Sequence, residues 1–201
     1  MARPPAIDVE TGVRVVLNVH SLGLTDDQFL QLCSDNREFR LEMTAQGELI
    51  IMPPPGSRTG RRSSRINQRL ANWADQDRMG ACFNTDTGFV LPNGARRGPD
   101  AAWIRRERWD AVPEEQQEKL APICPDFVIE LRSPSNRIRD VQGKWKSTSR
   151  TAPVLAGCSI LLKTAPGSTV QDGRPNGLRN PAILSGDPIL PGFQLDFREI
   201  V

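Results

Sequence analysis

Asp100 and Glu130 are the residues of this 201-residue chain whose surroundings point most directly to chemistry. Glu130 lies within Pro125-Asp126-Phe127-Val128-Ile129-Glu130-Leu131-Arg132, an apolar run closed by Ser133-Pro134-Ser135. A short apolar run between turn residues reads as a buried strand. A carboxylate in such a strand is costly unless it is paired or binds a metal. Asp100 stands at the mouth of a second run of the same kind, Gly98-Pro99-Asp100-Ala101-Ala102-Trp103-Ile104. Side by side, the two strands would bring two acids to one spot, the smallest cage for a hard divalent cation such as Mg²⁺. Glu130 also has a plainer reading, as a partner of Arg132 or Arg137, or as a residue on the solvent face of an edge strand.

Other elements must hold these strands. Val13 to Leu17 reads as a short strand. Thr25-Asp26-Asp27 caps a helix that carries Phe29, Leu30 and Leu32 on one side. Phe39 to Met43 and Glu48 to Met52 form a hairpin around Thr44-Ala45-Gln46-Gly47, which Pro53-Pro54-Pro55-Gly56 ends. Ile66, Leu70 and Trp73, at spacings of three and four, predict a helix from about Gly60 to Gln76. Ala81 to Phe83 and Gly88 to Leu91 read as strands, with a turn at Pro92-Asn93-Gly94. Two short helical turns follow from Trp109, and Ser135 caps a helix through Ile138 and Val141. This order predicts an α/β or α+β domain, a mixed sheet flanked by helices, occupying residues 1–201 as one unit.

The totals narrow the class. The hydrophobic fraction of 38% and charged fraction of 25% are those of a folded soluble protein. No apolar run spans a bilayer and the N-terminus lacks a signal-peptide core, so the expectation is a cytoplasmic protein without a membrane partner. The four cysteines form no C-x-x-C pair and His20 is the only histidine, which argues against zinc. A net charge of +2 says little about nucleic acid. Its distribution says more: Arg58, Arg61, Arg62, Arg65 and Arg69 form one basic cluster, and Arg96, Arg97, Arg105, Arg106 and Arg108 another. Each reads either as a solvated face or as a set of phosphate contacts.

The stretches RLEMTAQGELIIMPPPG, TGFVLPNGARRGPDAAWIRRERWD, CPDFVIELRSPSNRIRD and LSGDPILPGFQLDF resemble the Uma-type restriction endonuclease family of the PD-(D/E)-x-K nuclease superfamily. The resemblance implies a restriction-endonuclease-like fold and a metal-dependent phosphodiesterase site using Mg²⁺ or Mn²⁺. By position, Asp100 matches the family's Pro-Asp acid and Glu130 the acid of the E-x-K element. Together with the Leu131 carbonyl they would hold the metal. Arg132 stands where the superfamily has lysine, and Lys144 would take the lysine's role. Arg132 suits phosphate contact instead, as would Arg58, Arg61 and Arg62, because arginine stays charged and moves no proton. Glu48 is a weaker acidic candidate, with surface pairing as its plainer reading. DNA is the implied partner, and a homodimer would suit cutting of both strands.

From Gly143 to about Arg179 the text departs from the family and from amphipathic order. Codons compatible with KWKSTSRTAPVLAGCSILLK, given one extra A before the Trp145 codon, read K-M-E-E-Y-I-A-N-G-A-R-F-G-W-L-L-D-P-A-E. That is an amphipathic helix, an Asn-Gly stop, an apolar strand and an Asp-Pro turn. The segment is therefore expected to be out of frame, with the frame regained before Asn180. Even so, Val154 to Leu162 has the apolar content to pair as a strand. The leading reading is a metal-dependent DNA endonuclease. A nucleic-acid-binding or scaffold protein keeping the nuclease fold is the alternative, and a hydrolase of another phosphodiester is a third.

Overall fold

The computed structural model describes residues 14–132, 159–163 and 183–200. Two sheets dominate, and the site lies where the chain passes from one to the other. In the first, β1 (Val15–Asn18) and β2 (Arg40–Met43) flank β3 (Glu48–Met52), all antiparallel. The expected hairpin closes through Gly47, whose φ of +77° favours glycine. The helix α1 (Asp26–Asp35) starts at Thr25 in a full capping box. The Thr25 side chain accepts from the Gln28 N–H, and the Gln28 side chain accepts from the Thr25 N–H. Its Phe29 is buried in a cluster with Met43 and Leu49, fixing the helix to this sheet.

The helix α2 (Ser57–Asp77) begins three residues before the expected Gly60. Pro53 to Pro55 end β3, and Gly56 serves as its N-cap. The second sheet has the order β4 (Gly80–Phe83), β7 (Ala101–Arg105), β8 (Phe127–Arg132), β9 (Ser159–Lys163). β4, β7 and β8 are antiparallel, while β8 and β9 run parallel with Glu130 opposite Leu161, so this sheet is mixed. Between β4 and β7 the chain returns to the first sheet as β5 (Phe89–Val90) and β6 (Arg96–Arg97), giving the order β1-β3-β2-β6-β5. After β7 come the two short helices α3 (Arg106–Asp110) and α4 (Glu114–Gln117).

Both faces of the second sheet are covered, which explains why β7 and β8 read as continuous apolar runs. Ala101, Trp103, Phe127 and Ile129 pack against Ile66 and Leu70 of α2. Ala102, Ile104 and Val128 face the other way, onto Phe89, Leu91 and Val112. A hairpin of β10 (Ile183–Ser185) and β11 (Gln194–Asp196) extends the α2 side with Leu184, Phe193 and Leu195.

Several expectations are altered. Among the described residues the expected mixed sheet is joined by two antiparallel ones, and β6 and the β10–β11 hairpin were not anticipated. Two arginines hold β6 in place by burial, a signal opposite to strand periodicity. Within the run Val154 to Leu162 the described strand starts at Ser159 and extends to Lys163. The Ser135-capped helix, and residues 143–179 apart from β9, lie outside the described residues, and so does the altered-frame reading. No helix among the described residues is long and apolar enough to cross a membrane.

Leu70 is fully buried between α2 and β4–β7. Leu70→Ala should cost about 2–5 kcal/mol through lost burial and an unfilled cavity, read as a lower urea midpoint at unchanged slope. Cys82 on β4 donates its S–H to the Leu70 carbonyl at 3.5 Å. Burial, with the Asp75 charge adding to it, pushes this thiol up to about 12. The folded protein thus holds that proton more tightly than the unfolded chain. Its contribution to stability is whole below the ordinary value of 9.0 and is lost as pH rises from there toward 12. A thiol reagent at neutral pH should accordingly label Cys82 far more slowly in the native protein than after denaturation, with Cys82→Ala identifying the slow phase.

Candidate active site

The site is assembled from β2, the segment after β6, the start of β7, and β8. On β2, Arg40 and Glu42 are two residues apart, so their side chains leave on the same face. Glu42 is buried at 3% exposure, a position where a carboxylate needs partners. Arg97 of β6 supplies one, its Nη1 lying 3.1 Å from Glu42 Oε2. The Gly98 N–H donates to Glu42 Oε1 at 3.4 Å, and Arg40 Nη2 lies 3.9 Å from the same oxygen. Gly98 sits close to its neighbours: a Cβ there would come within 3.2 Å of the Thr87 carbonyl and 3.4 Å of Arg40 Nη2. Arg40 uses that closeness to donate through Nη2 to the Gly98 carbonyl.

Asp100 sits where the β7–β8 ladder ends. Its N–H donates to the Ile129 carbonyl at 3.1 Å, and its own carbonyl accepts from Asn67 of α2 at 2.8 Å and from Thr85 at 3.0 Å. Ser63 of α2 meets Thr85 at 2.7 Å, so a small polar lattice ties the helix to the acid's main chain. The Asp100 side chain is also committed. Oδ2 accepts the Leu131 N–H at 2.5 Å, completing the β8 edge where no strand residue does. Oδ1 accepts from Arg40 Nη1 at 3.0 Å. Glu130, the residue before Leu131, is buried at 7% exposure.

Arg40 is the cation common to these acids. Its burial works against the charge, and the carboxylates of Glu42, Asp100 and Glu130 more than offset that, holding the guanidinium above the ordinary arginine range. Arg40 and Arg97 are the guanidiniums that face these carboxylates among the described residues.

Of the expected pair, Asp100 bonds the Arg40 guanidinium at 3.0 Å, and the charge of Glu130 also acts on that guanidinium. Arg132 is the last residue of β8, and Lys144 lies outside the described residues. Arg58, Arg61 and Arg65 are exposed on α2, and Arg62 is half-buried. The helical step of about 100° per residue puts all four on the flank away from Asn67, the one that touches Asp100. Arg69, on their flank, pairs with Glu199 at 2.5 Å. Glu48 accepts from the Thr44 hydroxyl at 3.2 Å, the surface pairing that was its plainer reading. The second basic cluster is mostly structural. Arg96 is buried and pairs with Asp26 at 2.5 Å, Arg97 holds Glu42, and Arg108 pairs with Asp126 at 2.5 Å. Sequence reasoning missed Arg40 and Glu42. The available signal was two charges at alternate positions of a strand whose neighbours are apolar.

Residues 26–150 match the Uma2 family, described as "putative restriction endonuclease". The chain belongs to this family. Its fold is of the restriction-endonuclease-like α/β class. A crystal structure of "a putative nuclease belonging to DUF820 from Anabaena variabilis ATCC 29413" aligns with a TM-score of 0.62 at 16% identity. The alignment covers 88% of this chain and 97% of that one, and at this identity the likeness speaks for the fold. No curated protein matches the sequence. In this Uma2-family chain, no group of three or more His, Cys, Asp or Glu side chains among the described residues is arranged to hold a metal ion. The donor chemistry nevertheless fits a hard cation at two acids, with buried carboxylate oxygens and Leu131 main chain beside them.

Arg97→Met should leave Glu42 buried without its closest cation and cost about 3–5 kcal/mol. In a double-mutant cycle, adding Glu42→Gln should recover a large part of the loss, read by chemical denaturation.

Proposed function

We propose that this chain is a metal-dependent endonuclease acting on DNA in the cytoplasm, with Asp100 and Glu130 as the acids that hold Mg²⁺ or Mn²⁺. The observation that carries the reading is two buried acids on adjoining strands, Asp100 bonded to Arg40 at 3.0 Å and joined to the Glu130 strand through the Leu131 N–H. When bound, such an ion lowers the pKa of a water and screens charge developing on the phosphate. Asp100 is suited to holding it because Leu131 and the Asn67–Thr85 lattice fix the residue before any ligand arrives. Glu130 supplies a second oxygen donor from the adjoining strand. Lys144 is assigned the orientation of the attacking water, and Arg132 a phosphate contact. Arg58, Arg61 and Arg62, on the flank of α2 away from Asp100, are assigned phosphate contacts with a part of the DNA remote from the acids, without reading bases. A homodimer would place one such site on each strand of a duplex.

A second reading keeps the fold and the DNA contact without cleavage. It is favoured by arginine at position 132, which cannot take over a proton-transferring lysine's work.

Incubation of supercoiled plasmid and of single-stranded DNA with Mg²⁺ or Mn²⁺ separates the two. Cleavage that falls on the order of a hundredfold or more in Asp100→Ala and Glu130→Ala, with DNA binding retained, is the expected result. The same assay on a chain translated with the extra base before the Trp145 codon tests the altered frame. Absence of cleavage by either chain with either metal would leave the binding protein as the better account.

A further inference from the structure

The described structure gives Asp100 only one oxygen that main chain does not already hold. Oδ2 is taken by the Leu131 N–H at 2.5 Å, and Oδ1 by Arg40 Nη1 at 3.0 Å. Oδ1 is thus the Asp100 oxygen free of main-chain bonding, and a cation drawn to it comes up against the Arg40 guanidinium. Arg40 is also the more accessible member of the pair, its side chain 27% exposed against 11% for Asp100 and 4% for Glu42. Arg97 differs: its guanidinium is 9% exposed and pairs with Glu42. One arginine is thus locked into the fold, while the other lies at the solvent side of the acids.

We propose that Arg40 is a resident counter-ion of the acid pair, a positioning residue that holds Asp100 until a divalent cation displaces it and so sets the metal affinity of the site. This rests on the reading of Asp100 and Glu130 as metal ligands. The physical reason is competition between like charges. Without a metal, the guanidinium offsets the repulsion among Glu42, Asp100 and Glu130 and keeps the strands together. With a metal, it becomes a positive charge close to another, and the ion must overcome both the broken hydrogen bond and the repulsion. The site accordingly gains stability without metal in exchange for weaker metal binding. Arg40 retains its hydrogen bond to the Gly98 carbonyl as an anchor when Asp100 is released.

The test uses the full chain and Mn²⁺ alone, with no DNA. Free Mn²⁺ is followed by electron paramagnetic resonance, and thermal unfolding is recorded with and without the ion. Arg40→Gln keeps hydrogen-bonding capacity and removes the charge. It should bind Mn²⁺ about tenfold or more tightly than the wild type, melt lower without metal, and gain more on adding it. Arg40→Lys, which keeps the charge but reaches Asp100 with a single point of contact, should fall between the two. Glu130→Gln should lose Mn²⁺ binding. If Arg40→Gln binds Mn²⁺ no more tightly than the wild type while Glu130→Gln still loses it, the counter-ion proposal is overturned and the metal reading stands. If no variant binds Mn²⁺, the metal reading fails and takes this one with it. Should Arg40→Gln fold only when Mn²⁺ is present, the proposal is supported; should it stay unfolded in Mn²⁺, Arg40→Lys decides by binding tighter than the wild type or not.

Discussion

Buried negative charge is the constraint on which the arrangement depends. Glu42, Asp100 and Glu130 are all within 3–8% exposure, and carboxylates so placed must be compensated locally. Arg40 and Arg97 supply the positive charge, and the N–H groups of Gly98 and Leu131 supply hydrogen bonds. Those requirements explain features that packing alone would not. At Gly98, main chain and the Arg40 guanidinium meet closely. Arg97 is buried because an acid is buried opposite it. The β7–β8 ladder ends at Asp100 because a side-chain oxygen, not a strand carbonyl, takes the Leu131 N–H.

The scaffold converts this local balance into a fixed geometry. The acids come from two sheets, Glu42 from the first and Asp100 and Glu130 from the second, and the stretch 98–100 joins β6 of one to β7 of the other. α2 stiffens that crossing from its Asn67 flank, through the Asp100 carbonyl, while its apolar face packs on β7 and β8. A site on strand ends supported by a long helix is held more firmly than one on loops. The stabilising core and the charged group therefore share elements: Ala101 packs in the core beside Asp100, and Ile129 and Leu131 beside Glu130. A change that loosens the core around β8 would reach the acids directly.

Some of this was legible beforehand because it is written in short range. The helix cap at Thr25, the turn at Gly47 and the apolar spacing of Ile66 and Leu70 each lie within a few residues, and each forms as expected. Asp100 and Glu130 stood out because an acid interrupts, or opens, an apolar run. Other parts were hidden for physical reasons. β6 is two arginines long, and a charged pair gives no strand signal when its burial depends on Asp26 and Glu42, far off in sequence. The β10–β11 hairpin draws its burial from α2 and β8. Arg96, Arg97 and Arg108 looked like one basic surface with Arg105 and Arg106, yet each has its own carboxylate partner.

The amino-acid sequence by itself determined the local elements, the two acid-bearing strands and the family to which the chain belongs, because these follow from periodicity, turn chemistry and motif text. Tertiary structure decided which charges meet. Arg40 lies sixty residues from Asp100 along the chain, and its own neighbourhood does not say which carboxylate it meets. Only the joining of two sheets brings that guanidinium to the carboxylates, where Coulomb interaction in a poorly solvated setting is strong enough to organise the site.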